Sequence, residues 1–260
     1  MNQSTTILVL KKTKLGETDL IITGFSEEGV QIRAVAKGAR KPGSRLGVHL
    51  ELFSQAKVLI HQGRNLGIIT EASTVCSNEA CRSDVLHSAG AAVIVELLDR
   101  VSSDGDREAR LFPLVGEALR CLGEVPEEGV SLIAAAAALK IVAQLGFRPS
   151  LDSCVSCGNN VDLNTTHDAQ HVALAFSCEQ GGIICEDCLP ELEDLSRTAI
   201  DSQVIAWAQT LLTGRFVDLV PYADSEHEAL GRALLEFTRE WIRFYLVKRL
   251  KSLDFLLSFG

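Results

Sequence analysis

The sequence predicts an α+β chain in three parts. These are a small closed β-barrel over residues 1–77, an α-helical domain over 78–260, and a four-cysteine module over 150–190 inserted in it. Three observations carry this. Short apolar runs separated by turn residues fill the first part. From Asn78 onward the apolar residues recur at helical spacing. Within the helical part stand two Cys-x-x-Cys pairs, Cys154-Val155-Ser156-Cys157 and Cys185-Glu186-Asp187-Cys188.

The strand expectations are specific. Thr5–Lys12 is a short apolar run. Leu20–Phe25 and Val30–Lys37 flank Ser26-Glu27-Glu28-Gly29, a hairpin turn with glycine in its last place. In the second of these, Val30, Ile32, Ala34 and Ala36 alternate with Gln31, Arg33, Val35 and Lys37, the period of a half-buried strand. Leu52–His61 and Leu66–Thr74 form another hairpin around Gln62-Gly63-Arg64-Asn65. Five short antiparallel strands with no helix among them fit a small barrel of the OB-fold type.

In the helical part, Asn78 is positioned to cap a helix through Ala80–Val101, and a second covers Arg107–Leu122. A third covers Glu127–Leu145. Its alanine run, Ala134–Ala138, allows close helix packing, and Gly146 followed by Pro149 stops it. Two more are expected over Ala199–Leu212 and Ser225–Leu253. In the last, Leu230, Leu234, Phe237, Trp241, Phe244 and Tyr245 recur at helical spacing and read as core.

Two residues between paired cysteines let a tight turn aim both thiolates at one point. Two such pairs, Cys154 with Cys157 and Cys185 with Cys188, complete a closed four-thiolate shell around one structural zinc ion, with no position left for water or substrate. Gly158-Asn159-Asn160 and Gly181-Gly182 supply the turns this needs. Cys178, His167 and His171 are further ligand types in the region, but four thiolates already fill the shell; they read as a strand cysteine and two solvated histidines. Cys76, Cys81 and Cys121 read as small buried hydrophobes. Glu186 and Asp187 inside the second pair are expected to raise its thiol pKa, which disfavours a redox role.

The chain has 260 residues, of which 47% are hydrophobic, enough for one large or two to three small cored domains. No run reaches the roughly 20 apolar residues of a membrane span. Met1-Asn2-Gln3-Ser4 shows no basic region leading into an apolar core, so no secretory signal is expected. Eight cysteines without such a signal point to a reducing cytoplasm, where paired Cys-x-x-Cys favours metal over disulfide. The net charge of −9 divides unevenly: residues 1–80 carry +3 and the remainder −12. The split permits nucleic acid at the N-terminal end.

No Gly-rich phosphate loop, H-E-x-x-H or G-x-S-x-G motif is present, so no catalytic residues are assigned. The functional signal lies in Val30–Leu50, which contains Arg33, Lys37, Arg40, Lys41 and Arg45 and no acidic residue. Gly38, Gly43 and Gly47 predict a flexible loop after the strand. Five cations on a strand and loop of a small barrel can follow a phosphate backbone. Phe25 and Phe53 are the nearest aromatics for base stacking, so affinity is expected to be electrostatic and sequence-independent. Arg239, Arg243, Lys248, Arg249 and Lys251 form a second basic stretch.

The order of these pieces resembles the bacterial recombination mediator family RecO. The matching stretches are Leu15-Gly16-Glu17-Thr18-Asp19, Ala34-Val35-Ala36-Lys37-Gly38-Ala39-Arg40, Leu145-Gly146-Phe147-Arg148-Pro149 leading into the first cysteine pair, Gly181-Gly182-Ile183-Ile184-Cys185, and Tyr245 with Arg249-Leu250-Lys251-Ser252-Leu253-Asp254-Phe255-Leu256. The resemblance implies an OB-fold, a helical domain and a zinc ribbon held by four cysteines. It implies a non-enzymatic cytoplasmic, nucleoid-associated protein that binds single- and double-stranded DNA and anneals complementary strands. It also implies RecR as partner in loading RecA on DNA covered by single-strand-binding protein (SSB), and recognition of the SSB C-terminal tail. By carry-over, Arg33, Lys37, Arg40, Lys41 and Arg45 would face DNA, and Cys154, Cys157, Cys185 and Cys188 would hold zinc. The alternatives are a zinc-stabilised protein-interaction scaffold that does not bind DNA, and a Cys-x-x-Cys redox enzyme.

Overall fold

In the computed structural model, residues 2–62, 66–102, 107–161, 173–192, 197–246 and 249–259 are described. Gly63, Arg64, Asn65, His167, His171 and Lys248 lie outside them, and with them most of the second expected hairpin turn. The chain forms two units, Met1–Glu127 and Glu128–Gly260.

The first unit is built on a closed barrel in the order β1-β2-β3-β5-β4. Its strands are β1 (Asn2–Leu15), β2 (Asp19–Ser26), β3 (Gln31–Ala36), β4 (Gln55–His61) and β5 (Gly67–Cys76). Strand β1 is long enough to serve two neighbours. Asn2–Leu8 pair with β4, and Ile7–Leu15 pair with β2. The register shifts between Val9 and Lys11, the extra residue that lets a strand bend round a barrel. The seam closes where β3 meets β5, the one parallel pair, through Ala34–Gly67, Val35–Ile68 and Ala36–Ile69. Alternation sends Ile7, Val9, Leu20, Ile22, Ala34, Ala36, Val58, Ile60 and Ile69 inward as the barrel core. The β2–β3 turn forms at Ser26–Gly29 as expected, with Gly29 at φ +82°; a Cβ there would lie 2.2 Å from the Ala109 nitrogen.

The expectation of no helix among the strands is corrected. A five-residue helix, α1 (Arg45–His49), sits between β3 and β4, with Ser44 Oγ accepting from the Gly47 nitrogen. Gly47 is there for contact, since a Cβ would stand 2.3 Å from the Ala39 oxygen. So short a helix, with a glycine inside, leaves no periodic trace.

Helices α2 (Val85–Val101) and α3 (Leu111–Leu122) complete this unit. The α2 cap is Asp84, not Asn78: its Oδ1 accepts from the His87 nitrogen at 2.8 Å, while Oδ2 faces His87 Nδ1 at 2.7 Å. Asn78 instead takes a left-handed backbone (φ 43°) ahead of a short 3-10 turn and donates to the Phe53 carbonyl. Both are good capping types, and only the tertiary contact separates them.

The second unit is centred on α4 (Val130–Gln144), whose alanine run is buried. Helix α7 (Glu228–Leu246) packs closely on it, and a Cβ at Gly231 would stand 3.0 Å from the Leu132 nitrogen. Gly146 (φ +93°) ends α4 as expected. Lys140 Nζ donates to the Leu212 and Gly214 carbonyls, caps the end of α5 (Ser202–Thr213) and sits over the Phe216 ring. The segment expected to open α5 is instead strand β8 (Thr198–Asp201), which joins β6 (Ala173–Ser177) and β7 (Gly182–Ile184) in the order β7-β6-β8. Helix α6 (Phe216–Leu219) follows α5. The single long helix expected at the end is two, α7 and α8 (Lys251–Leu257), with Leu250 extended between them. Leu234, Phe237 and Trp241 are core, whereas Phe244 is 47% exposed.

Candidate metal centre and basic barrel face

The two cysteine pairs come together. The sulfurs of Cys154, Cys157, Cys185 and Cys188 all lie within 4.8 Å of one another, with Cys157 to Cys185 at 3.7 Å. A tetrahedron with zinc–sulfur bonds of about 2.3 Å spaces its sulfurs by about 3.8 Å, so the donor set is compatible with that ion in type and number.

Backbone hydrogen bonds make the arrangement. The Gly158 nitrogen donates to the Cys154 carbonyl at 2.9 Å with Gly158 at φ +76°, closing the first turn. The Cys188 nitrogen donates to the Cys185 carbonyl at 3.1 Å, closing the second. Ser150 ties the two together, donating to Gly181 and accepting from Ile183. The nitrogens of Ser156 and Cys185 point at Cys154 Sγ at 3.4 and 3.3 Å.

These contacts polarise the thiols. Burial opposes a charge on Cys154, but the N–H groups of Cys185, Cys157 and Ser156 outweigh it and bring its pKa down to about 6. Cys188, crowded by the Cys185 sulfur, is pushed up to about 12. The expected influence of Glu186 and Asp187 is not the cause; the neighbouring sulfurs are. A divalent ion held by the four sulfurs would remove the repulsion between neighbouring thiolates.

Among the described residues, no other cysteine joins the set. Cys178 lies in the turn after β6, not in a strand, and burial pushes its thiol up. Cys81 and Cys121 are fully buried as expected, with Cys81 pushed up to about 11 by burial. Cys76 is only half-buried.

On the barrel, Arg33, Lys37, Arg40, Lys41 and Arg45 are all exposed. None of them forms an ion pair among the described residues. Arg33 on β3 is paired with Thr23 on β2, which is paired with Lys11 on β1. Pairing across strands puts the three on one outer face, which adds Lys11 to the basic set. Lys37, Arg40 and Lys41 share one tight turn. Its carboxylate anchor is Asp19, which accepts from the Gly38 nitrogen at 2.8 Å; that bond first, then Thr18, holds the carboxyl below its usual range. Arg40 has a structural task there, donating to the Gly16 and Glu17 carbonyls at 3.1 and 2.8 Å. The expected flexible loop is thus a cross-linked turn. Arg45 opens α1 and lines a groove of about 660 Å³ between α1 and β5, with His49 and Glu71.

Phe25 and Phe53 are buried and offer no stacking surface. In the second basic stretch Arg239, Arg243 and Arg249 have acidic partners. Glu240 lies 3.1 Å from Arg239 and 3.5 Å from Arg243, and Asp254 pairs with Arg249. Among the described residues no helix is long and apolar enough to cross a membrane.

Two family models match the chain: Recombination protein O N terminal over residues 1–78 and Recombination protein O C terminal over residues 82–254. A DNA repair protein RecO of Desulfitobacterium hafniense is 34% identical over 181 residues, 70% of this chain and 62% of that protein. The DNA repair protein RecO of Bacillus mycoides is 32% identical over 179 residues, 68% of this chain and 67% of that protein. One from Bacillus cereus is 33% identical over the same length. The chain therefore spans about two-thirds of the length of the curated relatives it matches.

Proposed function

Because the chain belongs to the RecO family, we propose that it is a DNA repair and recombination mediator that acts without catalysing a reaction. It binds single- and double-stranded DNA, anneals complementary strands and, with RecR, helps load RecA on SSB-covered DNA, recognising the SSB C-terminal tail. The observation that carries the DNA reading is the run of five exposed cations between Arg33 and Arg45, none of them in an ion pair among the described residues. Arg33, Lys37, Lys41 and Arg45 contact phosphates, while Arg40 holds the turn that presents two of them. With no exposed aromatic alongside, contacts fall on the backbone and sequence is not read. Screening the charge of two strands at once lets them approach and pair. The four cysteines hold one structural zinc ion, which supplies rigidity and no chemistry to DNA.

A DNA titration at several salt concentrations tests this. Neutralised phosphates release counterions, so log affinity falls linearly with log salt. Replacing Lys37 and Lys41 by alanine lowers affinity about equally for unrelated sequences and shrinks the slope by roughly one to two units. Arg40 is left intact, because its loss would disturb the turn itself. An unchanged slope and affinity would remove this surface from the DNA reading and move the site to the second basic stretch at Arg239, Arg243, Lys248, Arg249 and Lys251; no DNA binding by the unaltered chain would leave the protein-binding scaffold.

A further inference from the structure

The acidic helical unit carries an aromatic patch that the DNA reading does not use. Trp207 of α5, Tyr222 in the turn after α6 and His227 just before α7 meet edge to face. Their centroid separations are 5.3 Å for Trp207–Tyr222, 5.4 Å for Trp207–His227 and 5.7 Å for Tyr222–His227. The neighbouring cluster of Phe176, Phe237 and Trp241 is sealed in the core, but this one opens to solvent, with Tyr222 48% exposed and Trp207 and His227 half-buried.

Acidic residues predominate in the surrounding sequence. Residues 216–231 contain Asp218, Asp224, Glu226 and Glu228 and no lysine or arginine. Asp224 is fixed beside the rings, its Oδ1 accepting from the Glu226 nitrogen, the His227 nitrogen and His227 Nδ1. The His227 side-chain bond, the largest influence, holds that carboxyl below its usual range. Asp218 is paired with Arg215, whereas Glu226 and Glu228 are exposed and have no ion pair among the described residues. Glu228 lies in the first turn of α7, where the helix dipole favours its charge.

Ring faces are electron-rich, and carboxylates around them repel phosphate and draw cations. A guanidinium suits such a place better than an ammonium, because it is planar, weakly hydrated and stacks on aromatic faces. We propose that this patch docks an arginine-bearing segment of a partner protein. One guanidinium lies on the exposed Tyr222 ring and the open part of the Trp207 ring, and flanking cations face Glu226 and Glu228. The inference is independent of the DNA reading, since it uses other residues and the opposite charge.

A titration of the full chain with a synthetic peptide of alternating arginine and glycine, followed by tryptophan fluorescence, tests it. Of the two tryptophans, Trp241 is buried with its Nε1 bonded to the Phe147 carbonyl, so Trp207 is the reporter. The expected result is a saturable change that disappears in Trp207→Phe. Tyr222→Ala weakens binding by roughly two- to fivefold while Tyr222→Phe keeps it. The pair Glu226→Gln and Glu228→Gln weakens it further and lowers its salt dependence, and the matching lysine peptide binds more weakly. Binding that is equally strong in Tyr222→Ala and in the glutamine pair would mean general attraction to an acidic protein and overturn the proposal. So would the absence of binding at low salt.

Discussion

Single residues carry several of the contacts that give this chain its shape. Asp84 begins α2 and fastens His87, whose Nε2 in turn faces the Val125 carbonyl at 2.9 Å. Burial works against the Asp84 charge, but bonds from the His87 nitrogen, Ser83 and the His87 ring outweigh it and hold its pKa below the ordinary value. A depressed carboxyl stabilises the fold above the unfolded-state value of about 3.9 and loses that contribution as pH falls through the folded value. Asp84→Ala is therefore expected to cost about 1 kcal/mol near neutral pH, as for other lost caps. The gap between wild type and variant should close below about pH 4. Urea unfolding of both proteins across that range measures it.

At the scale of elements, legibility followed periodicity. Strands β2 and β3 and the Ser26–Gly29 turn were readable because alternation and a positive-φ glycine are local signals. The four-cysteine cluster was readable because two-residue spacing is itself the geometric requirement for two thiols to meet. The length of β1, the α2 cap and the split of the last helix were not, since each is decided by a partner far along the chain. The basic residues were readable as a set. Arg40's hold on Gly16 and Glu17, and Lys11's place across Thr23 from Arg33, depend on register and are silent in sequence. Helix α1 offers the sharpest check of an element no pattern announced. Gly47→Ala should drive a methyl into the Ala39 carbonyl and destabilise the protein by about 1–3 kcal/mol. A thermal melt no different from wild type would show that α1 does not pack as described.

In the molecule as a whole, the four-cysteine module is bound into its unit by more than its ligands. Phe176 of β6 packs edge-on against Phe237 and Trp241 of α7 at 5.1 and 5.6 Å, and the Tyr245 hydroxyl donates to the Cys178 carbonyl at 2.8 Å. Metal removal should therefore be felt beyond the thiols. Elemental analysis of reduced protein is expected to find one zinc per chain, and Cys157→Ser to lose it. Chelation should raise amide exchange at Ile183 and Phe176 and also along α7 near Trp241, because the binding free energy of such an ion is folding free energy. Exchange that stays unchanged on chelation would make the metal incidental.

The double allegiance of β1 has a consequence for the order of events during synthesis. Its second half can pair with β2 almost at once, but Asn2–Leu8 wait for Gln55–His61. At a translation rate of roughly 5–20 residues per second, that half stays without its mate for some seconds. During that interval it presents a strand edge with unpaired backbone N–H and C=O groups, the kind of edge that pairs with a neighbouring nascent chain. Slowed elongation between β3 and β4 would lengthen that interval, and the yield of folded protein would register it.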